Sequence, residues 1–322
     1  MTILVFGGAH LDRRGHIEGP VMAGASNPGR FSQDTGGAGL NAAQAMAHLG
    51  MPVELIAARG GDPAGELVAR AASLSGIIDS PVSFLDHPTP SYTAILDGNG
   101  DLVIALADMG LYEAFGPKQI RRHDIRAKIA LAEAIVCDAN LPAPSLEALC
   151  QAARKAESPL YAIAVSPAKV KRLSTCLPYL AGLMMNIAEA RALAGMDGDH
   201  NDDAPPCDFD CARKLRDLGL QAGVITRGAR PAILFEMDHV LECDTIRVER
   251  VLDVTGAGDA LAGTLVAKRT GGLTWSQALP YGMAAAALAV ASPVAAPDTI
   301  NPDNLERLAA SVPPLRRVSP RN

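Results

Sequence analysis

In the stretch DVTGAGDALAG, residues 253–263, Asp253 and Asp259 flank Gly256, Ala257 and Gly258. Residues so small give up core volume and, for glycine, backbone entropy, so something large is expected to approach them. Behind them Leu261 and Leu265 recur one helical turn apart, and in front 245–251 reads as a strand. Gly256, Ala257 and Gly258 are therefore predicted to form the first turn of a helix. Its unpaired N–H groups and positive dipole end make an anion site that a phosphate oxygen can reach, because no side chain stands in the way. A carboxylate at Asp259 would repel developing negative charge unless it served the substrate, and taking the proton of a hydroxyl is such a service. Phosphoryl transfer needs those two parts together. The same four residues also suit a plain glycine-rich helix start with Asp259 as a first-turn acid.

A second glycine-rich stretch, TGGAGLNAAQAMAHLG, occupies residues 35–50. Gly37, Gly39 and Ala42 fit the dinucleotide fingerprint, but the FSQD segment before them is not a buried strand, so that reading is set aside. Instead the glycines would let the backbone approach a ligand. Asn41 offers an amide that both donates and accepts, as a polyol requires, and 42–49 continues as a helix stopped by Gly50.

The elements that would position these loops alternate. Runs at 3–6, 53–57, 134–137, 160–165, 183–185 and 223–226 read as buried strands. Asp62 and Pro63 cap and open a helix with Leu67, Ala71 and Leu74 on one face and Gly76 as its stop, and 144–156 and 209–218 are also helical. This rhythm predicts an α/β fold with a doubly wound, mostly parallel sheet. Segments 11–35 and 90–108 break it. The second alternates like a hairpin about Gly98-Asn99-Gly100, and both are assigned to a small β lobe inserted in one domain, 1–322, as a lid. The polar segment 197–210 reads as an exposed insertion, the tail after Val312 as frayed, and Thr274 with Gln277 as a capping box beside Trp275 on the core's surface.

Composition excludes other classes. Apolar residues make up 48% and charged ones 20%, ordinary for a globular chain. A formal charge of −6 and the lack of a basic run argue against nucleic acid, and no apolar run is long enough for a signal peptide or a membrane span, which predicts a cytoplasmic protein. Six scattered cysteines without a CxxC are expected to be reduced, and Cys207, Cys211 and His200 match no common zinc spacing. Neither HExxH nor GxSxG occurs.

Taken together, Gly36-Gly37-Ala38-Gly39-Leu40-Asn41-Ala42-Ala43 with Gly50 and Gly60, and the 253–263 stretch, resemble the two signatures of the PfkB, or ribokinase-like, carbohydrate kinases. Asn186-Ile187-Ala188-Glu189 resembles the family's NxxE element and Thr226-Arg227-Gly228 its TxG nucleotide loop. The resemblance implies a ribokinase-like sheet with helices on both faces and a small β-sheet lid, and ATP with Mg2+ across the carboxyl ends of the strands. It implies Asp259 as catalytic base with Gly256, Ala257 and Gly258 as anion hole, and Asp12, Gly37, Gly39 and Asn41 around a sugar. By the same resemblance Asn186, Thr226, Gly228 and Thr255 meet ATP, Glu189 acts on magnesium indirectly, and Asp253 lies near a potassium ion.

Within the family the chain resembles the pseudouridine kinases, through Ser26-Asn27-Pro28-Gly29, Pro90-Ser91-Tyr92, Ala107-Asp108-Met109 and Asp138-Ala139-Asn140. That implies Asn27, Asp108 and Asn140 as contacts to base or ribose, and phosphorylation of the 5-hydroxyl of a ribosyl compound. A kinase for ribose, adenosine or inosine, or fructose, and a non-catalytic sugar-binding module, are the alternatives. The chain departs from the pattern at Ile163-Ala164-Val165-Ser166, where an Asp-Pro is common, and at Thr226-Arg227-Gly228-Ala229-Arg230-Pro231, which lacks a last glycine. Arg227 and Arg230 would there meet phosphates or solvent. The lid's edges suit a homodimer.

Overall fold

The computed structural model describes residues 2–196 and 208–318. Short apolar runs form strands that are buried along nearly their whole length, as a sheet covered on both faces demands. Val53–Ile56, Thr2–Phe6, Ala132–Asp138, Leu160–Ile163, Gly182–Asn186 and Ala222–Arg227 lie side by side in that order, all parallel. Ile78–Asp79 extends one edge; Arg230–Glu236, Val240–Cys243 and Arg316–Arg317 extend the other, antiparallel. Alternate residues enter opposite cores. Leu4, Phe6, Ile135 and Cys137 pack with helices Ala143–Ala156 and Asp208–Asp217, while Ile3, Val5, Ala134 and Val136 pack with Ala38–His48 and Ala257–Thr270.

The first strand has a later neighbour on either side, so the winding direction reverses between Thr2–Phe6 and Ala132–Asp138. Such a reversal opens a crevice at the carboxyl ends of the strands. The segments that break the α/β rhythm form a separate four-stranded sheet in the order Gly29–Gly36, His10–Ile17, Ser91–Leu96, Leu102–Asp108, with the expected hairpin closed by Asp97 and Asp101.

Several expectations need correction. Asp62 caps helix Pro63–Leu74, its side chain accepting from the Gly65 N–H, but the buried face is Ala64, Val68 and Ala72, and Leu74 is 79% exposed. A Cβ at Gly65 would come within 2.8 Å of the Gly60 carbonyl, so that position of the buried face has no room for a side chain. Residues 245–251 form no strand, because Arg316–Arg317 already occupies the free edge of Val240–Cys243. That pairing also orders part of the tail, where Arg316 holds Asp244 through bonds of 2.6 and 2.7 Å. Trp275 is buried, edge-on to Tyr161 at 5.9 Å. Most of the predicted polar insertion lies outside the described residues; near its end, Asp208 opens a helix and is buried, paired with Arg191 and Arg230. The described cysteines are free and buried. No described helix is long and apolar enough to cross a membrane.

Candidate active site

A cavity of about 1170 Å³ lies at the carboxyl ends of the parallel strands, between the main sheet and the small one. It exceeds the usual range for one small ligand, so two substrates can share it.

Its floor is the start of helix Ala257–Thr270. No side chain caps this turn, and Gly256 takes the N-cap position at φ 78°, in the left-handed region that glycine tolerates. The three glycines of the motif are small for three different reasons. A Cβ at Gly256 would strike Ala295, one at Gly263 would strike the backbone of Ala42 in the neighbouring helix, and one at Gly258 would meet no atom within 4 Å. Gly258 therefore faces the cavity, which leaves its side of the turn open to an anion.

Asp259 lies beside this turn and accepts a 2.9 Å hydrogen bond from Nδ2 of Asn41. Burial, aided by the charges of Asp138 and Glu189, outweighs that bond and the pull of His10, and its carboxyl is pushed up to about 7. Such a group is poised to take a proton near neutral pH. Asn41 is 4% exposed, and its Oδ1 is buried without a hydrogen-bond partner among the described residues. A buried carbonyl oxygen in that position fits a hydroxyl donor from a ligand.

At the crevice, Asp138 ties the site's backbone together. Its carboxylate accepts from the N–H groups of Gly8 at 2.7 Å, Gly39 at 2.9 Å and Asn140 at 2.9 Å, yet burial keeps its pKa raised. Gly37, at φ 109°, could not carry a Cβ without striking Gly8, and Gly39 packs on Gly7. The close approach that these two glycines permit is thus to protein backbone, and Gly39 does not line the cavity. Asp12 lines it, paired with Nε2 of His10 at 3.3 Å, and His10 Nδ1 meets the Tyr112 hydroxyl at 3.0 Å. Asn140 also lines it, and its Oδ1 accepts from Lys169 Nζ at 2.6 Å. Burial lowers the Lys169 pKa against the attraction of Asp138.

Two strands beyond Asp138, roughly 10 Å by inter-strand spacing, stands a second polar group. Asn186 caps helix Ile187–Ala194 in a reciprocal box with Glu189, whose burial raises its pKa. Thr226 and Gly228 line the same end. Arg227 borders the cavity with its guanidinium bound to Glu242 at 2.6 Å and to Asp208, and Arg230 is paired with Asp208 at 2.9 Å. At the departure from Asp-Pro, Val165 has φ 70° with Ser166 N–H donating to Ala164 O, a tight turn that is strained for a β-branched residue and borders the cavity. Thr255 and Asp253 complete the wall. Burial alone would raise Asp253, but the Thr255 N–H at 2.8 Å and Arg14 at 2.9 Å outweigh it and hold its pKa low.

Two other sequence candidates lie apart. Asn27 spends its amide on Met22 and Ala25 in an exposed loop, and Asp108 is exposed although Ala107 and Met109 border the cavity. Sequence reading in turn missed His10, Arg14, Tyr112 and Lys169. Each is a lone residue without a spacing signal; only the resemblance fragments at 107–109 and 138–140 pointed to this neighbourhood.

The family model for pfkB family carbohydrate kinases matches residues 2–301. The chain belongs to the PfkB family of carbohydrate kinases. It is 26% identical over 302 residues to the pseudouridine kinase of Escherichia coli, covering 94% of this chain and 93% of that protein. A carbohydrate kinase from Agrobacterium tumefaciens is 44% identical, with a TM-score of 0.88 over 98% of this chain and 99% of that one. Arabidopsis thaliana ribokinase, solved with ribose and ATP, shares the fold at 22% identity and a TM-score of 0.82, covering 95% and 98%. The fold is ribokinase-like, and the protein is a phosphotransferase with an alcohol group as acceptor.

Proposed function

We propose that this kinase transfers the γ-phosphoryl group of ATP to the 5-hydroxyl of a ribosyl compound, with pseudouridine as the preferred acceptor. The observation that carries the reading is the Asn41–Asp259 pair: a carboxyl pushed up to about 7, held by an amide whose other end is buried and unpartnered. Asn41 Oδ1 accepts one sugar hydroxyl while Asp259 takes the proton of the attacking one. The oxygen–phosphorus bond forms as the β,γ-bridging bond breaks, its electrons leaving with ADP. Amides of Gly256, Ala257 and Gly258 meet the charge on the transferring group.

Asn186, Thr226, Gly228 and Thr255 bind the nucleotide in this reading. No group of three or more acidic, histidine or cysteine residues among the described ones could cage a metal, which fits a magnesium ion held mainly by phosphate oxygens and water, with Glu189 acting on it indirectly. Magnesium supplies charge neutralisation on the phosphates. Asp12 and Asn140 hold the acceptor. The small sheet, with segments 11–35 and 90–108, is the lid of a single domain and excludes water on closing. Its exposed outward residues Phe31, Ile104 and Leu106 suit a homodimer, which sedimentation over a range of concentrations tests.

Support for a nucleoside rather than a bare sugar comes from the Lys169–Asn140 pair. A cation with donors to spare and an amide match the carbonyl and imide groups of a pyrimidine, whereas ribose offers only hydroxyls. The likeness to the Escherichia coli pseudouridine kinase points the same way. An ADP-release assay over pseudouridine, uridine, inosine, adenosine, ribose and fructose tests this: pseudouridine should show the highest kcat/KM. A higher value for ribose or fructose would remove the nucleoside reading, and no turnover with any acceptor would remove the kinase site as described.

A further inference from the structure

Strand His10–Ile17 of the small sheet carries Asp12 and Arg14 on one face, toward the cavity. Arg14 reaches across to the main body, where its Nη2 donates to Asp253 Oδ2 at 2.9 Å. Asp253 is held in turn by the Thr255 N–H on its other oxygen, at 2.8 Å. The guanidinium thus lies next to the residues that lead directly into the Gly256 turn. Both carboxylate oxygens of Asp253 are engaged, and the small sheet thereby brings a positive charge beside the anion hole.

Charge accounting gives that contact its meaning. A transferring phosphoryl group spreads negative charge over its oxygens, and positive groups close by are the main resource for stabilising it. Of the other arginines that line the cavity, Arg227 has a buried side chain on Glu242 and Asp208, Arg230 is paired with Asp208 through an exposed side chain, and Arg247 borders the cavity as well. Lys169 is bound to Asn140 at the crevice. Arg14 differs from Arg227 in that its side chain is 42% exposed and its partner sits at the rim of the anion hole. A planar guanidinium keeps further N–H donors when one is bonded to a carboxylate, and it suits tetrahedral and planar phosphoryl oxygens alike.

We propose that Arg14 is a catalytic residue of the transfer step: Asp253 holds its guanidinium at the rim of the anion hole, and from there it donates to the oxygens of the transferring phosphoryl group. The small sheet then does more than exclude water, because closing it delivers charge to the reaction. This rests on the reading of Gly256, Ala257 and Gly258 as the anion hole and Asp259 as the base.

The test uses the full chain with Arg14→Ala and Arg14→Lys, each assayed at saturating ATP and acceptor. Removing a donor of this kind typically costs about 10²-fold in kcat, so Arg14→Ala should fall by about that factor and Arg14→Lys should recover part of it, with KM for the acceptor within about 3-fold of the parent. Binding of ADP with fluoroaluminate and acceptor should weaken in step with kcat, while ADP alone binds as before. A kcat within about 3-fold of the parent, or a loss seated in acceptor KM alone, would make Arg14 a fastening of the lid and overturn the proposal. If Asp259→Asn remains active, the underlying site reading fails instead, and the two failures are distinct.

Discussion

Replacing Asn41 by alanine isolates the hydrogen bond that tunes Asp259. Alanine is the better helix former, so helix Ala38–His48 loses no propensity. The bond removed is a 2.9 Å donation from a neutral amide to a carboxylate. Hydrogen bonds to charged groups contribute about 1.5–3 kcal/mol, which at about 1.36 kcal/mol per unit corresponds to about one to two pH units. The donor favours the ionised carboxylate, so its loss raises the pKa of Asp259. A general base works deprotonated, and activity therefore rises with pH through that pKa. The acid limb of kcat/KM, set near 7 in the parent, should move to about 8–9. Near pH 7 the variant should then retain only about 2–20% of the parent's ionised base, and most of that deficit should disappear at alkaline pH. A residual loss at every pH reports the hydroxyl contact of Oδ1. The assay is ADP release followed from about pH 5.5 to about 9.5 in both proteins. An acid limb at the same pH in parent and variant, or a fall by one constant factor throughout, would refute the claim that Asn41 tunes the base.

Asp259→Asn should lower kcat by about 10² or more with ATP still bound. The same variant should be more stable, because the folded state raises this carboxyl from 3.8 to about 7: stability is lost as pH rises between those values, and asparagine escapes the loss, so its Tm advantage should grow over that window and then level. A Tm difference that stays constant across the window would contradict the buried placement of the charge. Gly256→Ala should lower Tm through both its φ of 78° and the clash with Ala295, whereas Gly258→Ala should melt normally and lose turnover, since its added methyl enters open space at the anion hole; reversed outcomes would reassign the two glycines. Lys169→Met should raise KM for pseudouridine by about 10-fold or more, the equivalent of one or two lost polar contacts, and an unchanged KM would remove Lys169 from acceptor recognition.

The parallel strands were readable from the chain because a strand covered on both faces must be apolar at every position, and the small sheet because 90–108 alternates and 11–35 is too long and irregular for a loop of the α/β rhythm. Failures came where the deciding partner is distant in sequence. Residues 245–251 alternate well enough for a strand, but Arg316–Arg317, some seventy positions later, takes the edge they would need. Leu67 and Leu74 outweigh Ala64 and Ala72 on any hydrophobicity count, yet the face buried is that of Ala64, Gly65, Val68 and Ala72, where Gly65 packs on the Gly60 backbone. Trp275 gave no sign of depth, because the space for its ring is made by Gly182 on a strand nearly a hundred residues earlier.

The site divides along the same line. Asp259 and its glycine turn could be placed together from the sequence because they are contiguous, whereas the contacts around them join residues 218 and 239 positions apart, Asn41 with Asp259 and Arg14 with Asp253. Those distances are set by packing rather than by motif. Gly263, one turn beyond Asp259, lets helix Ala257–Thr270 press against the backbone of Ala42, the residue next to Asn41. The small residues of the glycine-rich stretches therefore do complementary work: Gly258 at the helix tip leaves space open to the cavity, and Gly263 inside the helix brings the amide and the carboxyl within hydrogen-bonding reach. The contact between the two helices thus sets the distance between Asn41 and Asp259.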